Sequence, residues 1–241
     1  MLKIIELCEK KYKNENVHSL NTKNNDSVLD ILIATKLSQN TTDKTAFIAF
    51  NNLKRKYGKL EKLMEERISK IRDEIRICGM ANTKAKDIKN ILKKIYRKYK
   101  SFDLSFLKNY STEEIYNQLL ELNGIGLKTA SCVVAFGLNR DVFPVDTHIH
   151  RVLNRIGLVK TKTPEKTFLE ISDKIPEGKK LFFHKCLIKF GRSICKARNP
   201  LCNECFIYMY CKYRNKSEYK NKKAQNRNPQ KYDFLILENI K

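Results

Sequence analysis

Apolar residues recur three and four positions apart through nearly every segment of the chain, which predicts an all-α fold. Leu2–Tyr12 carries such a face through Ile5 and Cys8. Ser27–Leu37 (SVLDILIATKL) is almost wholly apolar, as a central helix buried on every side would be. Thr42 and Asp43 cap a helix running to about Tyr57, with Gly58 just past its end. Leu60–Ile77 reads as two short helices with a charged outer face, Gly79 breaks the pattern, and Asn82–Tyr99 forms a long, very basic helix. Ser111 and Glu114 make a capping-box pattern ahead of the apolar Ile115–Leu122. Further helices are predicted from about Leu127 to Phe136, over Thr147–Ile156, over Pro164–Ser172, and over Glu177–Phe190, where Gly191 ends the last. Lys23–Asp26 is a polar link. From Lys212 onward like charges outnumber groups to bury, so a flexible basic tail is expected, although Tyr232–Ile240 regains apolar character and suits docking as a short strand or helix.

The chemistry gathers in Glu121–Arg151, ELNGIGLKTASCVVAFGLNRDVFPVDTHIHR. Gly124-Ile125-Gly126 interrupts the helical pattern. Two glycines around one apolar residue allow a tight turn with positive φ, so that backbone N–H groups close on a phosphate oxygen at the next helix start while Ile125 anchors the turn. Lys128 falls in the first turn of that helix, where the macrodipole disfavours a positive charge. If it is also partly desolvated, its neutral amine becomes a nucleophile near neutral pH. Asp146, beyond Pro144, opens the following helix as an ordinary N-cap, and a cap also keeps a carboxylate ionised and fixed in place.

Length and charge narrow the field. The 241 residues suit one large or two small domains. A formal charge of +23 points to a polyanionic partner, although lysine richness by itself also follows from an AT-rich genome or a thermophilic habit. No apolar run reaches the roughly 18 residues of a membrane span and the first residues lack a signal-peptide core, so a soluble, intracellular, nucleoid-associated protein with no membrane partner is expected.

The eight cysteines are of two kinds. Cys8, Cys78, Cys132 and Cys186 stand singly inside apolar helical patterns and read as reduced core residues. Cys195, Cys202, Cys205 and Cys211 are separated by six, two and five residues, which reads as a metal site. Four thiolates hold either zinc or a four-iron, four-sulfur cluster. Zinc sites usually pair close C-x2-C hooks and only one is present, so the wider cage of the cubane fits better. His148 and His150 are two apart, hence on different helix faces, and have no partner spaced to join them in a metal site.

LNGIGLKTA followed about twenty residues later by PVDTHIHRV resembles the helix-hairpin-helix plus Gly/Pro…Asp signature of the endonuclease III superfamily of DNA glycosylases. CKARNPLCNECFIYMYC is similar to that family's cluster loop, including Ala197, Arg198 and Pro200. The resemblance covers nearly all of Leu2–Tyr213. One departure is Asn123, where the family often has proline.

The resemblance implies a monomeric, bifunctional DNA glycosylase and AP lyase of base excision repair. Its partner would be duplex DNA containing damaged bases, chiefly oxidised pyrimidines, or abasic sites, which it would cut on the 3′ side by β-elimination. By the match, Lys128 is the Schiff-base lysine, Asp146 the essential aspartate, and Cys195, Cys202, Cys205 and Cys211 the ligands of a 4Fe-4S cluster. Gly124, Ile125 and Gly126 would grip the DNA backbone. Gln39 and Asn40, on the loop Ser38–Thr41, would fill the space left by an extruded base, with Met80 as a wedge from the opposite side and Lys196 and Arg198 on phosphates; many relatives have glutamine where Asn40 stands.

The implied architecture is two helical domains flanking a DNA-binding cleft. A six-helix barrel with the hairpin would span 22–138, an iron–sulfur cluster domain would join 1–21 to 139–213, and 214–241 would be the tail. A monofunctional mismatch glycosylase acting on thymine or adenine would carry another residue at position 128. A non-catalytic helix-hairpin-helix module would need the glycines but neither Lys128 nor Asp146.

Overall fold

The structure, a computed structural model, describes residues 1–12, 27–122 and 124–220. The link Lys23–Asp26, the departure at Asn123 and the segment Tyr232–Ile240 lie outside the described residues. Eleven α-helices are present among those described: α1 Leu2–Tyr12, α2 Val28–Ser38, α3 Asp43–Tyr57, α4 Ile68–Glu74, α5 Ala81–Tyr99, α6 Thr112–Leu120, α7 Leu127–Cys132, α8 Thr147–Ile156, α9 Pro164–Ile171, α10 Lys180–Ser193 and α11 Lys216–Lys220. None among the described residues is long and apolar enough to cross a membrane. These residues form two compact units, 27–140 and 1–12 with 141–220.

The first unit is built from α2–α7 around α2. Every residue of α2 from Val28 to Leu37 is buried, as its unbroken apolar run predicts, and it packs on α3, α5 and α7. The polar residues among them are satisfied. Asp30 pairs with Lys54 at 2.9 Å, and Thr35 Oγ1 donates to the Ile31 carbonyl at 2.7 Å. Thr42 caps α3, and Ser111 with Glu114 closes the predicted capping box on α6. The predicted helix from Leu127 to Phe136 changes character partway. After Cys132 it widens into a π turn over Val133–Gly137, with the Leu138 N–H bonding the Val133 carbonyl five residues back.

In the second unit α10 packs on α8 and α1. The aromatic core pairs Phe143 with Phe183, stacked at 5.7 Å between centroids. Gly191 does not end α10, which runs on to Ser193. A Cβ there would lie 3.2 Å from the His148 Cβ and 3.3 Å from Val152 Cγ2, so the glycine is the point of closest approach to α8 rather than a stop. The basic segment expected to be flexible from 214 begins instead with α11. Lys216 donates to the carbonyls of Tyr208 and Cys211 at 3.1 and 2.7 Å, and its ammonium also lies over the Tyr208 ring, which ties the helix to the cysteine loop.

Candidate active site and cluster loop

The hairpin joins α6 to α7. Gly124 has φ +100 and Ile125 is buried, its N–H bonded to the Leu122 carbonyl at 2.9 Å. Gly126 departs from expectation. It has φ −90 and is the N-cap of α7, with no side-chain cap bond and nothing within 4 Å of where a Cβ would stand. Positive φ is thus required at one glycine, and the other puts neither a Cβ nor a side-chain cap at the start of α7. Behind the turn, Tyr116 donates to Ser131 Oγ at 3.0 Å and Ser131 to the Leu127 carbonyl at 2.8 Å. Burial pushes the Tyr116 phenol up to about 12, so it stays a donor.

Lys128 is the second residue of α7 and is exposed. The condition of partial desolvation is therefore not met in the chain by itself. Its neighbour Thr129 is buried and accepts from Gln39 Nε2 at 3.2 Å. Gln39 Oε1 in turn accepts from Lys36 at 3.2 Å. Lys36 also pairs with Asp87 at 3.1 Å and reaches the Gly124 carbonyl at 3.5 Å. Gln39 is therefore turned inward as a latch between its loop and the hairpin. Asn40 is exposed, adopts φ +52, and brings its Nδ2 to 4.0 Å from the sulfur of Met80. Met80 is 58% exposed at φ +48. The structure thus brings these two wedge candidates together, both in a left-handed conformation that is costly for a methionine.

Asp146, 9% exposed, caps α8 by accepting the Ile149 N–H on Oδ1 at 2.8 Å. Sequence reasoning missed what fastens the rest of that helix. Arg151 donates to the carbonyls of Gly191 and Cys195 at 2.8 and 3.0 Å, and Arg155 to those of Lys196 and Ala197 at 2.6 and 3.0 Å. Two arginines four apart on one face were the available signal. The three histidines among the described residues bond to the protein itself: His148 meets Arg151, His150 meets Thr167, and His184 bonds the Pro144 carbonyl.

Cys195, Cys202, Cys205 and Cys211 line one cavity, walled by Ile156, Phe190, Ile194, Leu201, Ile207 and others. Four thiols gathered on one cavity are the donor set that a 4Fe-4S cluster takes, so the residues present fit that group. Burial pushes the Cys205 thiol up to about 12 and raises those of Cys202 and Cys211, so metal must displace their protons. The loop from Cys195 to Cys202 carries Lys196, half-buried, and Arg198, exposed.

Residues 33–177 match the family model of HhH-GPD superfamily base excision DNA repair proteins, and residues 195–211 that of the iron-sulfur binding domain of endonuclease III. Endonuclease III of Thermotoga maritima is 35% identical over 195 residues, 80% of this chain and 87% of the relative. That of Sulfolobus acidocaldarius is 36% identical over 190 residues, 78% of this chain and 82% of the relative. A solved trapped endonuclease III–DNA covalent intermediate, an estranged-adenine complex, superposes with a TM-score of 0.73 at 25% identity, covering 89% of this chain and 94% of that one. With the hairpin, the capped aspartate and the four-thiol cage in place, the chain belongs to the HhH-GPD superfamily of base excision DNA repair proteins, as a DNA glycosylase related to endonuclease III whose cysteine loop holds a 4Fe-4S cluster.

Proposed function

We propose that this glycosylase is bifunctional, removing oxidised pyrimidines from duplex DNA and then cutting the strand 3′ to the abasic residue. The observation that carries the reading is the exposed amine of Lys128, set two residues after the phosphate-accessible Gly126. A relative that only removes bases has no use for an amine there.

Gly124, Ile125 and Gly126 bind a backbone phosphate through the free N–H groups at the start of α7, and Asn40 and Met80 fill the gap left by the extruded nucleotide. DNA covers Lys128, and the step that follows uses the lone pair of its neutral amine. The amine nitrogen then attacks C1′ as the bond to the base breaks, and the base leaves with the electron pair and is protonated. Ionised Asp146, already fixed by its cap, stabilises the positive character on the sugar and takes up the proton released from the lysine nitrogen. The C1′–O4′ bond then breaks, O4′ leaving as a hydroxyl after taking a proton, and the resulting ring-opened iminium acidifies the C2′ proton. Its removal shifts electrons toward the nitrogen and expels the 3′ phosphate, and water then hydrolyses the imine to free Lys128. The capture of a related endonuclease III as a covalent DNA intermediate supports this course.

When bound, the cluster supplies four iron–thiolate bonds that staple residues 195–211, and Arg155 holds the segment carrying Lys196 and Arg198 against α8. Those two side chains meet phosphates.

A duplex with a single thymine glycol tests the reading. The cluster-loaded protein is expected to leave a nicked strand ending in an unsaturated aldehyde, without heat or alkali. An intact strand that breaks only on alkali would make the enzyme monofunctional, and no release of the base would leave a binding module.

A further inference from the structure

Lys84 is 5% exposed on the inner face of α5, and none of the chemistry above uses it. Its ammonium donates to the Leu37 carbonyl at 2.8 Å and to the Cys78 carbonyl at 3.1 Å. Both acceptors end a helical segment. Leu37 is in the last turn of α2, and Cys78 closes the 3-10 turn Arg76–Cys78. Such terminal carbonyls have no partner within their own helix and carry its negative pole, so one cation satisfies and attracts both. Immediately beyond these ends the chain turns left-handed, with φ +52 at Asn40, +64 at Gly79 and +48 at Met80. Asn40 and Met80 are themselves within 4.0 Å of each other.

We propose that Lys84 is a positioning residue, a buried two-ended clamp that holds the Asn40 and Met80 loops in fixed register so that both side chains enter the duplex as one unit. The proposal rests on the reading that these two loops enter the stack. The sequence spacing hides the clamp, since Lys84 lies 47 residues from one acceptor and six from the other. Lysine suits the place because its three donors radiate from one atom, whereas the planar arginine fork is shaped to meet two acceptors in parallel. Burial draws the ammonium below the ordinary lysine value, opposed by nearby Cys78 and reinforced by Lys36. With two carbonyls accepting from it, the charged form remains the one that does the holding.

The test uses cluster-loaded protein and a duplex with a tetrahydrofuran abasic analogue opposite 2-aminopurine, whose fluorescence rises as it loses its stacking partners. At saturating protein, Lys84→Met is expected to lose most of that rise and to slow single-turnover excision from a damaged duplex about tenfold or more. Borohydride trapping on a single-stranded abasic oligonucleotide, which has no stack to enter, should stay within about twofold of wild type. A full fluorescence rise in Lys84→Met overturns the proposal. So does an equal loss on duplex and single strand, which would make the residue a general support of the fold. If Lys84→Met gives no folded holoprotein, Lys84→Arg decides: a rise reduced by about half or more supports the clamp, and an unchanged rise overturns it. Absence of any rise in the wild type would instead overturn the reading of the two loops on which the clamp depends.

Discussion

Asp146 combines two duties that a substitution can separate. Asparagine caps a helix as well as aspartate does, so Asp146→Asn keeps the bond to Ile149 and the fold while removing the charge. Base excision should slow by orders of magnitude with DNA affinity and thermal midpoint nearly unchanged. Asp146→Ala should in addition lower stability by about 1 kcal/mol. Equal loss of excision and binding in Asp146→Asn would make the residue chiefly structural. The two hairpin glycines divide in another way. Gly124→Ala forces a Cβ into φ +100 at about 1–2 kcal/mol, with Ile91 only in ordinary contact at 3.5 Å, so stability falls. Gly126→Ala meets nothing and should change stability by under about 1 kcal/mol while weakening DNA binding, because in the proposed complex the added methyl stands where a phosphate approaches. Thermal melts and binding titrations on the pair check both. The cap at Asp146 and the positive φ at Gly124 were readable because each depends on neighbours in sequence, whereas the positive φ expected at Gly126 did not appear. The inward roles of Lys36, Lys84 and Gln39 were not readable, since each has a partner at least 47 residues away that only the folded backbone brings within reach.

Periodicity located the helices because burial follows it. The run from Val28 to Leu37 had one outcome, burial on all sides, and the Ser111–Glu114 pair had one position, the start of α6. Where a residue type serves two purposes, the pattern misled. Gly191 read as a stop because glycine commonly ends helices, but α10 needs it to let α8 approach. Gly191→Ala gains about 1 kcal/mol of helix propensity and loses about 1–3 kcal/mol to overpacking against His148 and Val152. A lower melting temperature is expected, and a higher one would show that the two helices can part without penalty. The π turn after Cys132 was likewise invisible, because a single widened turn leaves the apolar positions nearly in phase.

For the molecule as a whole, the charge of +23 states the partner's sign but not where it is held. In the proposed function the cluster loop, pinned by Arg155, supplies part of the answer. Replacing Lys196 or Arg198 by alanine should weaken binding to all duplexes alike and lower the salt slope by about one for each phosphate no longer neutralised. Lost selectivity with an unchanged slope would argue against a role on phosphates. The cysteine spacing was legible because a cluster constrains only the sulfurs and the loop between them. The exposure of Lys128 was not, because its position in the first turn of α7 does not say what packs over it.

The proposed chemistry turns on the identity of the nucleophile, and borohydride reduction on a thymine glycol duplex examines it directly. The wild-type chain should become covalently joined to the DNA, with the adduct mapped by mass spectrometry to Lys128 and with Lys128→Gln giving none. An adduct that persists in Lys128→Gln, or that maps to another residue, would contradict it.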